Sequence, residues 1–187
     1  MQKDIDIIIY GATGFTGQLC VKYFQSLNTD VNWAIAGRDQ DKLQKVASDN
    51  SVDVEMLIAD SDDEVALDIL TSRAKVILST TGPFHRYGSK LVASCVKNSA
   101  NYVDITGENF WVKGLIAKHH EEASAKGIRI IPSCGYDSIP SDLGVFYSAK
   151  VLNKPIKRIE SFHSWEGGAS GGTLETMFSM GDLDLGD

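Results

Sequence analysis

The amino-acid sequence predicts an α/β protein that is built on a doubly wound, mainly parallel sheet. Short apolar runs alternate along the chain with segments whose apolar residues recur at helical spacing. In the first run, 5–10, aliphatic residues occupy consecutive positions, which is typical of a strand buried on both faces. This run leads directly into the glycine turn at 11–17, so we expect a strand, a turn and a helix start at the centre of the sheet.

The glycine turn predicts a dinucleotide site. Its sequence is GATGFTG, in which Gly14 and Gly17 match the last two glycines of the G-x-G-x-x-G fingerprint and Ala12 takes the place of the first. Glycines allow backbone N–H groups to reach a diphosphate at the positive end of the following helix. We therefore interpret 5–27 as the nucleotide-binding βα unit of a Rossmann-type domain, with an ordinary glycine-rich turn as the alternative. The cofactor contacts expected here are Gly11, Thr13, Gly14, Phe15, Thr16 and Gly17.

The helix after the turn has an apolar face with i, i+4 spacing. This face comprises Phe15, Leu19, Tyr23 and Leu27, with Cys20 and Phe24 beside it. A helix of this kind packs its apolar face on the sheet. We expect a turn at 28–30 to end the unit.

The tip of the second strand decides the choice of cofactor. The strand, 33–37, ends in Ala36-Gly37-Arg38, at the point where NAD-binding domains carry Asp or Glu to bond the ribose hydroxyls. A guanidinium instead suits the 2'-phosphate of NADP, and Lys42 follows one helical turn later. We therefore predict NADP(H) with Arg38 as the 2'-phosphate ligand. The alternative is a solvated arginine at a helix start, with Asp39 serving the ribose.

The third βα unit adds one further candidate contact. A helix is expected at 41–48, a strand at 52–59 and a helix at 64–72, whose apolar residues are Val65, Ala66, Ile69 and Leu70. Asp60 follows the third strand, where the loop skirts the adenine in this fold, so we expect it to contact adenine. Helix capping by Ser61 or Asp62 is the alternative, because acidic and hydroxyl side chains favour helix starts.

The fourth strand, 74–79, leads to the loop at the nicotinamide half of the predicted site. In a doubly wound sheet the crevice lies between the first and fourth strands, at their carboxyl ends. This topology places Thr80, Thr81, Gly82 and Pro83 beside the nicotinamide. Tyr87 follows on the same loop and is a catalytic candidate facing either cofactor or substrate.

Two more strand–helix units complete the predicted domain. Helices are expected at 88–99 and 110–126, strands at 101–105 and 128–131, and a last helix from Pro140 to Leu152. The core face of the helix at 110–126 comprises Val112, Leu115, Ile116, His119 and Ala123.

We expect the polar loop after the sixth strand to form part of the functional site, because it lies at the carboxyl end of a strand. Asp137 and Tyr136 are its candidates for contact with substrate or nicotinamide, and a loop-bracing aspartate is the alternative. Cys134 as a thiolate nucleophile is less favoured, since no partner base is identifiable by spacing.

The pattern changes after residue 152, which divides the chain into a dinucleotide-binding domain at 1–152 and a second part at 153–187. A strand is expected at 156–165, a glycine-rich turn at 166–173 and a helix at 174–180. We interpret this part as the first strand and helix of a second α/β domain whose remainder is absent. Extension of the first sheet is the alternative.

Composition and charge limit the partners. The net charge of −7 over 187 residues disfavours nucleic acid and anionic membranes. No apolar run approaches the about 20 residues that span a bilayer, and the amino terminus lacks a signal-peptide layout. Three widely spaced cysteines indicate reduced thiols and a cytoplasmic location. No metal is expected, because the adjacent residues His119, His120 and Glu121 point to different sides of a helix.

Six segments of the chain, including the glycine turn and the polar loop after the sixth strand, resemble a known family. The chain resembles the NADP-binding domain of the saccharopine dehydrogenase-like oxidoreductase family, which includes proteins described as trans-acting enoyl reductases. The matching segments are YGATGFTG at 10–17, AGR at 36–38, TGPF at 81–84, YVDITGE at 102–108, CGYDSIPSD at 134–142 and GGASGGT at 167–173.

The resemblance implies hydride transfer between NADP(H) and an imine, carbonyl or activated alkene of a small-molecule or lipid-like substrate. It also implies a second α/β domain that covers the cleft and supports homodimerisation in the full-length protein. The short-chain dehydrogenase mechanism is excluded, because none of the six tyrosines has a lysine four residues later. A non-catalytic NADP-binding regulatory or sensor module is the alternative function.

Overall fold

The fold is a six-stranded parallel sheet with helices on both faces, which confirms the doubly wound Rossmann-type prediction. The computed structural model describes residues 3–27, 29–152, 154–164, 166–168 and 170–181. The strands are β1 (Ile5–Tyr10), β2 (Trp33–Gly37), β3 (Glu55–Ile58), β4 (Ala74–Ser79), β5 (Asn101–Asp104) and β6 (Ile130–Ile131). Their order is β3-β2-β1-β4-β5-β6, and every neighbouring pair is parallel. The strand order therefore reverses between β1 and β4, as expected.

Eight helices are described. They are α1 (Phe15–Ser26), α2 (Gln40–Asp49), α3 (Glu64–Arg73), α4 (Phe84–Tyr87), α5 (Ser89–Lys97), α6 (Asn109–Ala125), α7 (Ile139–Leu152) and α8 (Gly171–Gly181). The short α4 lies in a segment that the sequence predicts as loop. No helix in the described ranges is long and apolar enough to cross a bilayer.

The consecutive aliphatic residues of β1 supply both layers of the core. Ile8 and Ile9 are fully buried, and they belong to separate clusters because successive side chains point to opposite faces of a strand. Ile8 packs with residues of α3, α5 and α6, whereas Ile9 packs with residues of α1 and α2. The position of β1 in mid-sheet, between β2 and β4, follows the sequence prediction.

The predicted packing face of α1 is wrong. Its members are exposed, at 70% for Phe15, 52% for Leu19, 61% for Tyr23 and 38% for Leu27. The helix instead buries Gly17 and Val21, and Cys20 and Phe24 pack beside them. A Cβ on Gly17 would lie 2.2 Å from the carbonyl oxygen of Gly11, so this close backbone contact sets which side of α1 faces the sheet.

Two other helices differ from prediction in part. Of the four apolar residues expected in α3, Leu70 is buried and Ala66 is half-buried, whereas Val65 and Ile69 are exposed. Leu67 and Thr71 complete the buried side of this helix. On α6, Ile116 is exposed and Trp111 takes its place in the core, whereas Leu115, His119 and Ala123 are buried as expected. Strand β3 is also shorter than its predicted range of 52–59.

The carboxyl-terminal part departs furthest from the sequence prediction. The strand expected at 156–165 is wrong for 156–164, which has no regular secondary structure, and Trp165 lies outside the described residues. The helix expected at 174–180 is present within the longer α8. Asn28 of the expected turn, Ala169 of the glycine-rich turn and residues 182–187 also lie outside the described part of the chain.

The contact at Gly17 gives a stability prediction. Replacing Gly17 with Ala places a methyl group 2.2 Å from the Gly11 carbonyl oxygen and 2.8 Å from the Ala12 Cα, so the backbone must shift to accept it. We expect the free energy of unfolding, measured by urea denaturation, to fall by about 1–3 kcal/mol.

The matched control is Gly114→Ala in the interior of α6, where an added Cβ meets no atom within 4 Å. This change should instead raise the free energy of unfolding by roughly 0.5–1 kcal/mol, because alanine favours helix. Equal effects of the two substitutions would contradict the close contact of α1 with the turn.

Candidate functional site

A cleft of about 280 Å³ opens at the carboxyl ends of β1 and β4. It lies at the point of strand reversal, where doubly wound sheets bind ligands. Eight of the residues predicted from the sequence line it, namely Gly11, Thr13, Gly14, Arg38, Thr80, Thr81, Gly82 and Tyr87. Four further lining residues were not predicted, namely Tyr10, Gly37, Ser61 and Glu175.

The glycine turn leaves the start of α1 open to a ligand. Gly11 has a φ of +84°, and the N–H of Gly14 donates to the Gly11 carbonyl at 3.0 Å. Gly14 is the N-cap of α1 and supplies no capping side chain, and the first turn of the helix contains no acidic residue. The first N–H groups of a helix have no partner within the helix, so this end is suited to bind an anion.

The two helices that follow α1 in the chain, α2 and α3, have capped amino ends. The Asp39 side chain caps α2 by accepting from the Lys42 N–H, and the Asp63 side chain caps α3 by accepting from two N–H groups. Capping of α3 by Ser61 or Asp62 is therefore wrong, and Ser61 lines the cleft instead. Carboxylates already occupy the positive ends of α2 and α3, whereas the uncapped start of α1 lies at the cleft, where Gly11, Thr13 and Gly14 line it.

The two predicted basic residues have different surroundings. Arg38 lines the cleft directly after β2, is exposed, and forms no ion pair with any described residue. Lys42 is absent from the cleft lining and its Nζ lies 3.4 Å from Asp39 Oδ2. Of the two, Arg38 is the cation that the structure brings to the cleft.

Asp60 has a local role in its loop. Its Oδ1 accepts from the Asp62 N–H at 2.9 Å, which braces the turn between β3 and α3. Asp60 does not line the cleft, so its predicted contact with adenine remains a prediction. Close by, the hydroxyl of Tyr10 donates to the Ala59 carbonyl at 3.3 Å, and burial raises the pKa of this phenol.

The loop after β4 is held against the glycine turn. The Thr80 N–H donates to the Tyr10 carbonyl at 2.9 Å, and its hydroxyl lies within 3.2 Å of the Tyr10 and Gly11 carbonyls. The hydroxyl oxygen of Thr81 is buried and has no hydrogen-bond partner among the described residues. A buried hydroxyl without a partner costs free energy, so a polar ligand group at this point would satisfy it.

The catalytic candidates lie in two different places. Tyr87 lines the cleft, whereas Tyr136 and Asp137 are exposed on the loop after β6 and are not among its lining residues. Cys134, on the same loop, is disfavoured as a nucleophile, because burial and the nearby Asp104 raise the pKa of its thiol. Four further predicted cofactor contacts are not among the residues that line the cleft, namely Phe15, Thr16, Gly17 and Pro83. Pro83 is buried.

Two buried carboxylates, one at the end of β5 and one on the loop after it, were not predicted from the sequence. Asp104 is 1% exposed and accepts from the N–H groups of Thr106 and Ser133 and from the Tyr102 hydroxyl. Glu108 is fully buried and accepts from the first two N–H groups of α4, which directly follows the loop after β4. The available signal was the pair of acidic residues in the segment YVDITGE, directly after an apolar strand.

A larger cavity of about 360 Å³ lies between α6 and β6, away from the point of strand reversal. His119 lines it, and burial lowers the pKa of its imidazole, which disfavours the charged form. None of the predicted cofactor contacts lies there. Among the described residues, no group of three or more His, Cys, Asp or Glu side chains is placed to hold a metal ion.

Comparison with known proteins agrees with the geometry of the cleft. Residues 7–131 match the family model of the saccharopine dehydrogenase NADP binding domain. A trans-acting enoyl reductase of Mycobacterium leprae is 39% identical over 148 residues, with 78% of this chain and 35% of the relative covered. The human saccharopine dehydrogenase-like oxidoreductase is 34% identical, with 91% of this chain and 43% of the relative covered. The chain therefore spans less than half the length of these curated relatives.

A solved structure supports the fold. Saccharopine dehydrogenase (L-Glu forming) from Saccharomyces cerevisiae superimposes with a TM-score of 0.65 over 80% of this chain and 31% of that protein. The sequence identity is 19%, so this likeness concerns the architecture. The cofactor described by the family model, NADP, is the one that Arg38 predicts.

The buried hydroxyl of Thr81 gives a test of ligand fit. Replacing Thr81 with Val removes a hydroxyl that has no partner in the protein, so the free energy of unfolding should stay unchanged or rise by up to about 1 kcal/mol. If a ligand satisfies this hydroxyl, NADPH affinity measured by calorimetry should fall by about five- to tenfold.

The neighbouring Thr80→Val is the matched control. Its hydroxyl already bonds the Tyr10 and Gly11 carbonyls, so its loss should lower the free energy of unfolding by about 1 kcal/mol. Thr81→Val protein that binds NADPH as tightly as wild type would show that the hydroxyl faces no ligand.

Proposed function

Since the chain belongs to the saccharopine dehydrogenase NADP-binding domain family, we propose that it is the cofactor-binding part of an NADP(H)-dependent oxidoreductase. The substrate is an imine, a carbonyl compound or an activated alkene, on a small or lipid-like molecule. The bound cofactor supplies the hydride or receives it. The protein binds and orients the reactants and holds the proton donor.

The open start of α1 is the observation that carries this proposal. It faces the cleft at the strand reversal, has no capping side chain and lacks an acidic residue in its first turn. The diphosphate of the cofactor binds here, through N–H groups of Thr13 to Gly17 and the helix dipole. Phe15, Thr16 and Gly17 contribute backbone groups, which explains why their side chains need not line the cleft.

Arg38 recognises the 2'-phosphate of the adenosine ribose. Its guanidinium is at the cleft without an ion-pair partner in the described chain, so binding a phosphate does not require breaking an existing pair. Lys42 contributes only weak long-range attraction, because it is paired with Asp39. Asp60 lies on the adenine side of the cleft.

The nicotinamide half lies along the loop after β4. Thr80, Thr81 and Gly82 form this wall of the site, with Pro83 buried next to them, and Tyr87 is the proton donor candidate nearest to it. Glu175 of α8 also lines the cleft, and the neighbouring Thr176 lies close to Gly82 of this loop. Tyr136 and Asp137 lie on the next loop but one and contact the substrate when the cleft is covered.

Residues 153–187 begin a second domain that covers the cleft. Helix α7 buries none of its residues and exposes Phe146, Tyr147 and Val151, which supports a covering segment on this helix. The contact of α8 with the cleft through Glu175 supports the same arrangement. Homodimerisation of the full-length protein through this second domain completes the proposal.

Substitution of Arg38 tests the cofactor assignment. In wild-type protein NADPH should bind more tightly than NADH, and Arg38→Ala should weaken NADPH binding by roughly 10- to 150-fold, since a charged hydrogen bond contributes about 1.5–3 kcal/mol. NADH affinity should not change. Arg129→Ala, beside β6 at the far edge of the sheet, is the control and should leave both affinities unchanged. Equal NADPH and NADH affinities in wild type would contradict the proposal.

Turnover separates the enzyme from the regulatory alternative. NADPH oxidation by the full-length protein with an imine, a ketone or an enone as acceptor supports the oxidoreductase. Tight NADPH binding without oxidation by any of these acceptors supports the sensor module.

A further inference from the structure

We infer that Glu108 is a positioning residue that holds the loop after β4 in the conformation required at the nicotinamide half of the cofactor. The inference rests on the proposed function, because that function places the nicotinamide beside this loop. Glu108 does not line the cleft and does not contact the reactants directly.

The carboxyl group of Glu108 accepts from the backbone N–H groups of two consecutive residues and contacts the imidazole of the second. Its Oε1 accepts from the Phe84 N–H at 2.8 Å, and its Oε2 accepts from the His85 N–H at 2.7 Å. The His85 ring nitrogen Nδ1 lies 2.7 Å from the same Oε2. The imidazole of His85 therefore lies against the same carboxyl oxygen that accepts from its own backbone N–H.

The burial of Glu108 makes its hydrogen bonds necessary for the stability of this region. Glu108 is fully buried, and a buried carboxylate is tolerated only where hydrogen bonds replace its hydration. Its own backbone is fixed by the Glu108 N–H, which donates to Thr106 Oγ1 at 3.1 Å. The loop after β5 therefore holds the Glu108 carboxyl group in place as the acceptor for the first two N–H groups of α4.

The contacts of Glu108 control residues that line the cleft. Gly82 lies two residues before Phe84, and Tyr87 lies two residues after His85. The Phe84 ring is also buried against Trp111, with ring centroids 5.9 Å apart. Glu108 holds the backbone of Phe84 and His85, and Trp111 holds the Phe84 ring. These contacts therefore fix the positions of Gly82 and Tyr87 at the nicotinamide half.

Glutamine is the informative substitution because it keeps the shape of the side chain. In Glu108→Gln one carboxylate oxygen becomes an NH₂ group, which cannot accept from an N–H. Because the two backbone N–H groups use different oxygens, one of them then loses its acceptor inside the protein. The matched control is Glu121→Gln, which makes the same chemical change at an exposed position on α6.

The experiment compares NADPH with adenosine 2',5'-bisphosphate, a fragment without the nicotinamide half. Calorimetry on Glu108→Gln should show NADPH affinity reduced by about tenfold, since a lost charged hydrogen bond has this order of effect. Affinity for the fragment should stay at the wild-type value. Glu121→Gln should bind both ligands as wild type does.

Other outcomes overturn the inference. Unchanged affinity for both ligands would show that Glu108 does not position the nicotinamide half, and an equal loss for both would show a role in the fold as a whole. Wild-type protein that binds neither ligand would overturn the proposed function instead.

Amide hydrogen exchange of the wild-type protein without ligand tests the contact itself, even if Glu108→Gln does not fold. The Phe84 and His85 amides should be as protected as those of β5. Exchange at the rate of an open loop would overturn the inference.

Discussion

The close contact between the start of α1 and the glycine turn is the constraint on which the site depends. Gly17 packs on the Gly11 carbonyl at a distance that admits no side chain. This contact sets the rotation of α1 about its axis and aims its uncapped amino end at the crevice between β1 and β4. The same contact explains why α1 buries Val21 and exposes Leu19 and Tyr23.

The remainder of the cleft is assembled by hydrogen bonds between loops. Thr80 joins the loop after β4 to the glycine turn, and Glu108 joins it to the loop after β5. Asp104, at the end of β5, accepts from the Ser133 N–H and so holds the loop after β6 against β5. Burial is the main cause that raises the pKa of the Asp104 carboxyl group. Four loops at the carboxyl edge of the sheet are thus fixed by backbone groups and two buried carboxylates, which is a suitable arrangement for a rigid cofactor site.

The sequence predicted the parts of the fold that local pattern controls. Consecutive aliphatic residues identified β1, and the glycine spacing identified the turn and the crevice beside it. Prediction from the sequence was wrong where a contact between residues distant along the chain, or across a turn, selects one of two possible packing faces. Helix α1 has two overlapping apolar faces, and only the contact of Gly17 with Gly11 selects one of them. Glu108 was missed because its donors lie more than twenty residues away in sequence, so its burial leaves no local periodic signal.

A crystal structure of the protein with NADPH tests the central claim most directly. The account predicts the diphosphate within hydrogen-bond distance of the amides at the start of α1, with the 2'-phosphate at the Arg38 guanidinium. NADPH bound elsewhere, for example in the cavity between α6 and β6, or a diphosphate away from α1, would contradict it.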